Sequence, residues 1–186
     1  MGVKFKAVPS DFEERLDDSR PAHEVAVELG LGKAQRIAEK YPEAIVIGGD
    51  TIVSIGNHQY GKPENKTEAR QMLQEHNGQV ALVTTSVVLV CKATGLVDTR
   101  YAQTEVLFKP YDEEAAEAYI GTGDWHDKAG AWGIQSGAAP LIAHITGDFD
   151  TVVGLPTRLL ARMLANVGVD AQPVTHDSPV PQHSKG

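Results

Sequence analysis

The stretch Ala44-Ile45-Val46-Ile47-Gly48-Gly49-Asp50-Thr51-Ile52-Val53-Ser54-Ile55 decides the architecture. Ala44 to Gly48 is a continuous apolar run rich in β-branched residues, the pattern of a central strand covered on both faces. It closes on Gly49-Asp50-Thr51, then continues extended to the turn Gly56-Asn57. A strand ending in a carboxylate is a common site design, because ligands gather where strand ends open a crevice.

Outward from this stretch, strands and helices are interspersed. Thr67 to His76 reads as a helix with Thr67 as N-cap and Asn77-Gly78 at its end. Val80 to Val90 and a strand within Val97 to Phe108 flank the turn Ala93-Thr94-Gly95 and make an antiparallel hairpin. Asp112 to Tyr119 is a helix with acids in its first turn and Gly121 past its end. Ala139 to Ile145 reads as a strand. Leu159, Leu160, Met163, Leu164 and Val167 then repeat at helical spacing before Gly168. Upstream, Pro21 to Lys40 is helical, with Gly30 and Gly32 as points where it kinks or breaks. Val3 to Val8 alternates as a half-buried strand. The fold class is α/β: a mixed twisted sheet flanked by helices, with a central cleft. Residues 1–169 form one domain, and 170–186, rich in Pro, His, Ser and Gln, read as a disordered tail.

With 186 residues, 41% of them hydrophobic and 23% charged, the chain suits a single soluble globular domain. A formal charge of −8 argues against broad binding to nucleic acid or an anionic membrane, though convergent lysines still make a local anion site. A single cysteine, Cys91, excludes an intrachain disulfide and a cysteine-based zinc site. No apolar stretch approaches a membrane span and no leader pattern opens the chain, so a cytoplasmic location is expected.

Three polar clusters stand out: Gly48-Gly49-Asp50-Thr51, Gly61-Lys62-Pro63 and Asp124-Trp125-His126-Asp127-Lys128-Ala129-Gly130-Ala131-Trp132-Gly133-Ile134-Gln135. Asp50 either caps the following turn or serves as a general base or metal ligand. Gln135 either satisfies loop backbone or reads the edge of a base through its amide. Lys33, Lys62 and Lys128, with Glu13, Asp50 and Asp127 and the glycine-rich loops, fit a polyphosphate carrying Mg²⁺ or Mn²⁺. Lysines balance phosphate oxygens, carboxylates hold the metal, and glycines admit backbone N–H groups. There is no P-loop, no dinucleotide fingerprint after a strand and no Gly-x-Ser-x-Gly elbow.

In this order the motifs resemble the Maf-like nucleotide pyrophosphatases, distant relatives of the inosine triphosphate pyrophosphatases. The matching stretches are Asp11-Phe12-Glu13-Glu14, Lys33-Ala34, Gly49-Asp50-Thr51-Ile52-Val53, Gly61-Lys62-Pro63, Asp127 to Gln135 and Val152-Val153-Gly154-Leu155-Pro156. The resemblance implies hydrolysis of a nucleoside triphosphate between the α- and β-phosphates, with a divalent metal cofactor, and a homodimer. It implies that Asp50 accepts a proton from water, that Lys33, Lys62 and Lys128 hold phosphates, and that Glu13 helps with the metal or the water. Thr51 and Gln135 match positions tied to base choice and look like the branch that prefers dTTP and UTP, whereas a sister branch acts on 7-methyl-GTP. Family members open with a strand leading into a Ser-x-Ser-Pro-Arg-Arg loop, and Met1 aligns about twenty residues inside that pattern. Ala81 stands where the family usually carries histidine. The alternative reading is a catalytically impaired nucleotide-binding or cell-division regulatory protein.

Overall fold

A computed structural model describes residues 1–174 and 176–183. In these residues a seven-stranded sheet is built around one long strand, β4 (Val80–Cys91). The order is β3-β2-β4-β5-β6-β7, with β1 also paired to β4. Here β1 is Val46–Gly48, β2 Thr51–Ile55, β3 His58–Tyr60, β5 Leu96–Phe108, β6 Ile142–Thr146 and β7 Gln182–His183. All pairs are antiparallel except β6 with β7, so the sheet is mixed as the sequence indicates.

The apolar run of β4 is continuous because both its faces are covered. Val88 and Val90 pack on Ala34 and Ala38 of helix α1 (Ala22–Ala38). Val87 and Leu89 pack on Leu160, Met163 and Leu164 of α5 (Thr157–Asn166). Strand side chains alternate between faces, so a strand held between two helices has no polar side to show. Each such fully buried side chain stabilises the fold by about 1.5–3 kcal/mol. Helices α2 (Lys66–His76) and α3 (Glu113–Thr122) cover the other end of the sheet, where Leu73, Tyr119, Trp132 and Phe108 share the largest core cluster.

The stretch that begins the reading is one strand with an interruption. Gly48 lies opposite Val88 and Thr51 opposite Thr85, a single register on either side of Gly49-Asp50.

Several local expectations are corrected. Val3 to Val8 forms no strand; Phe5 is 85% exposed, so its alternation marks no buried face. α1 runs unbroken through both glycines. Asn65, not Thr67, caps α2, accepting the N–H groups of Thr67 and Glu68 at 2.9 and 3.0 Å. Gly121 lies within α3, which ends at Gly123 in the left-handed region (φ 79°). Ala139–Leu141 is a single 3-10 turn, and the strand begins only after it. Before α5 comes a short helix, α4 (Phe149–Val153).

Part of the segment expected to be disordered from 170 onward touches the body at a few residues. Ala171 and Val180 are buried, and β7 pairs with β6. His176 Nδ1 sits 2.7 Å from an Asp150 carboxylate oxygen, and Thr157 donates to the same carboxylate. Apolar periodicity is absent there because the segment docks through isolated residues and polar pairs. Among the described residues no helix is long and apolar enough to cross a membrane.

Candidate active site

Helix α1 crosses the strand interruption at bare backbone. A Cβ at Gly30 would stand 2.5 Å from Ser86 Oγ and 3.1 Å from Gly49 Cα. One at Gly48 would meet Ala34 Cβ and the Gly30 carbonyl oxygen, both at 2.7 Å. Gly30 thus serves close approach and not a kink. Ser86, on β4, locks the junction. Its hydroxyl accepts the Asp50 N–H (2.9 Å) and donates to the Ala26 carbonyl (2.7 Å), while its N–H donates to the Asp50 carbonyl (2.9 Å).

This contact delivers Lys33, one turn beyond Gly30 on the same helix face, to Asp50. Lys33 Nζ lies 2.5 Å from Asp50 Oδ1 and 2.7 Å from Glu14 Oε1. Glu14 is held there by its neighbours. The tip of the Phe12 ring abuts Gly32, where a Cβ would stand 2.3 Å from it, and Asp11 pairs with Arg36 at 2.8 and 3.2 Å. Burial pushes the Asp50 carboxyl above its ordinary value, against the pull of the Lys33 ammonium. On Lys33, burial works against the charge, but the hydrogen bonds to Asp50 and Glu14 prevail and raise it.

The three clusters of the sequence line one cleft of about 560 Å³. Asp50, Thr51, Lys33, Lys62, Asp127, Lys128 and Gln135 all face it. Lys62, Asp127, Lys128 and Gln135 are exposed, and neither Lys62 nor Lys128 has an ion-pair partner among the described residues. Glu13 is the exception. Its carboxylate pairs with Arg15 in solvent, and Glu14 takes the place expected for it.

The remaining wall is apolar: Val53, Tyr60, Val83, Trp132 and Ile134. The Gly130 N–H donates to the Gly61 carbonyl (3.0 Å), tying the loop after α3 to the Gly61-Lys62-Pro63 loop. That loop holds three left-handed residues, Asp127 (φ 58°), Gly130 (φ 70°) and Ala131 (φ 64°). Non-glycine residues in this region cost about 1–3 kcal/mol each and persist where the surroundings impose them. Thr51 reaches the cleft from a hydroxyl ladder. Thr85 Oγ1 donates to the Thr151 carbonyl (2.7 Å) and so accepts from Thr51 Oγ1 (3.0 Å).

Among the described residues no three His, Cys, Asp or Glu side chains converge as a self-sufficient metal cage. Asp50 and Glu14 present hard carboxylate oxygens on either side of Lys33, at the edge of a cleft with phosphate-sized lysine positions. That donor set fits Mg²⁺ or Mn²⁺, which take one or two carboxylates together with substrate phosphates and waters.

Two site residues escaped the sequence. Glu14 directly follows Glu13, and only the packing of Phe12 on Gly32 decides between them. Ser86 sits in the Val-rich strand with nothing local to distinguish it.

A family model described as Maf-like protein matches residues 1–167. A Bacillus anthracis protein named dTTP/UTP pyrophosphatase is 38% identical over 175 residues, covering 94% of this chain and 89% of its own length. One of the same name from Bacillus cereus (strain ATCC 10987 / NRS 248) is 39% identical over 94% of this chain and 84% of its own. A third, from Bacillus thuringiensis subsp. konkukian (strain 97-27), is 38% identical with 94% and 89% coverage. An ordered set of cleft-lining motifs and these matches agree: the chain belongs to the Maf-like protein family.

Proposed function

We propose that this protein hydrolyses nucleoside triphosphates, dTTP and UTP foremost, to the monophosphate and pyrophosphate. The observation that carries the reading is the convergence of Asp50, Lys33, Lys62, Lys128, Thr51 and Gln135 on one cleft. The names of the relatives support the same substrates.

In this reading Lys62 and Lys128, without ion-pair partners among the described residues, bind the phosphate chain, and Asp127 lines the mouth beside them. The apolar wall takes the base, with Thr51 and Gln135 selecting it. Asp50 accepts the proton of a water molecule whose oxygen attacks the α-phosphorus. The bond to the bridging oxygen breaks and pyrophosphate leaves with the electron pair. Lys33 keeps Asp50 oriented and ionised. A Mg²⁺ or Mn²⁺ ion would be held by Asp50 and Glu14 and would neutralise phosphate charge. A cytoplasmic location and a homodimer belong to the same reading.

The test is pyrophosphate release from dTTP, UTP, CTP and 7-methyl-GTP with either metal. Release from dTTP and UTP is expected. A folded protein that binds dTTP without releasing pyrophosphate would instead support the non-catalytic regulatory reading, which the relatives do not favour.

A further inference from the structure

Tyr119 lies outside the cleft, on α3, only 3% exposed. Its hydroxyl accepts the Gly133 N–H at 3.2 Å. Burial raises this phenol to about 12, so it remains a neutral acceptor through the working pH range. The carbonyl of Gly133 is held from the other side, accepting the N–H groups of Ser136 (3.3 Å) and Ala138 (3.2 Å) and the Ser136 hydroxyl (3.3 Å). The bare Cα of Gly133 closes on the Lys128 stem; a Cβ there would stand 3.1 Å from Lys128 Cε and 2.7 Å from Ser136 Oγ. The two peptides flanking the Gly133 Cα are thus each pinned; they lie between Lys128 and Gln135 and follow the backbone strained at Ala131. Strained backbone keeps its shape only while its surroundings impose it.

We propose that Tyr119 is a positioning residue for base selection, its hydroxyl fixing the Gly133 peptide and with it the place where the Gln135 amide meets the pyrimidine. This rests on the dTTP and UTP reading above. The effect acts on selectivity and not on the bond-breaking step, because Asp50 and Lys33 stand on different elements, α1 and the β1–β2 junction. A site that recognises a base by hydrogen bonding loses discrimination when its polar group is displaced.

Tyr119→Phe keeps the ring and removes the acceptor. The measurements are kcat and KM for dTTP, UTP and GTP, the melting temperature, and dTTP binding by calorimetry. KM for dTTP and UTP is expected to rise about fivefold to tenfold, the loss of one hydrogen bond, with kcat within about twofold. The preference for dTTP over GTP falls with it. Gly133→Ala, which drives a methyl group into Ser136 and Lys128, moves the same quantities in the same direction. A Tyr119→Phe enzyme with the parental preference overturns the inference and leaves the pyrophosphatase reading intact. A fall in kcat with preference unchanged also overturns it. A folded parent that neither hydrolyses nor binds these nucleotides overturns both.

Discussion

Lys33 and Asp50 meet at 2.5 Å, yet the pair does not behave as a surface ion pair would. An exposed lysine beside an aspartate pulls its carboxyl down. Here the Asp50 side chain is 10% exposed, and loss of water outweighs that pull and raises it. The outcome is a carboxylate held charged by its partner while being a stronger base than a surface aspartate, the combination a proton acceptor needs.

Asp50→Asn should therefore lower pyrophosphate release by about 10²–10⁴-fold. Stability should change by no more than about 1–2 kcal/mol, because the amide still accepts from Lys33. Turnover assays alongside thermal melts check this, and parental turnover would remove Asp50 from the mechanism.

The pH dependence has a definite sign. Activity needs ionised Asp50, so kcat/KM should fall toward acid with its limb above the ordinary aspartate value of 3.8. Lys33 lowers the Asp50 carboxyl and Glu14 raises it. Lys33→Met should thus move the limb to higher pH and Glu14→Gln to lower pH. For folding, a raised acid disfavours the charged form, so the Asp50 contribution weakens as pH rises through the window above 3.8. The raised Lys33 acts oppositely: its contribution is full below 10.5 and is lost as pH climbs above it. Chemical denaturation across pH, compared with Lys33→Met, separates the two.

Lys62→Ala and Lys128→Ala should raise KM by about tenfold each and leave the melting temperature unchanged, since both residues are exposed and neither has an ion-pair partner among the described residues. The parental KM should rise with ionic strength, and less steeply in either variant. A variant with an unaltered KM has no phosphate role.

Alanine substitutions at helical glycines should split by place. Gly30→Ala meets Ser86 and Gly49 and should lower both stability and activity despite alanine's better helix propensity. Gly32→Ala displaces Phe12, loosening Glu14, and should shift the acidic limb as Glu14→Gln does. Gly121→Ala, with nothing within 4 Å, should stabilise by about 0.5–1 kcal/mol. Melting curves of the three proteins decide it.

Much of this was legible in the chain because the strands are periodic and the polar clusters break that periodicity. The hairpin around Gly95 and the helix through Met163 carry their own signal, whereas the apolar run before Gly49 is no covered central strand: β1 is three residues long, lies beside β4, and leaves Ile45 and Ile47 36% and 41% exposed. What stayed hidden depends on partners distant in sequence. Gly30 and Gly32 read as helix weaknesses because nothing local shows a strand backbone and an aromatic ring filling their missing side chains. Glu13 and Glu14 are indistinguishable until Phe12 finds Gly32. Val3 to Val8 alternates, but only its start packs on the core, with Val3 against the cluster of Leu160, Met163 and Leu164, while Phe5 and Ala7 are exposed. The segment after Asp170 docks by single residues, a form of attachment that leaves no repeat to detect.

The cleft draws its lining from two distant parts of the chain. Lys33, Asp50 and the Ser86 clamp come from the first half, whereas Lys128, Trp132 and Gln135 follow α3. Synthesis delivers the first half earlier, and N-terminal structure generally forms first. A nascent chain halted after β4 would carry Lys33, Asp50 and Thr51 together with the Val53, Tyr60 and Val83 side of the wall, and would lack Lys128, Trp132 and Gln135. The pocket closes late in synthesis, when the lining from Asp127 to Ser136 and then from Val152 to Gly154 joins the first half.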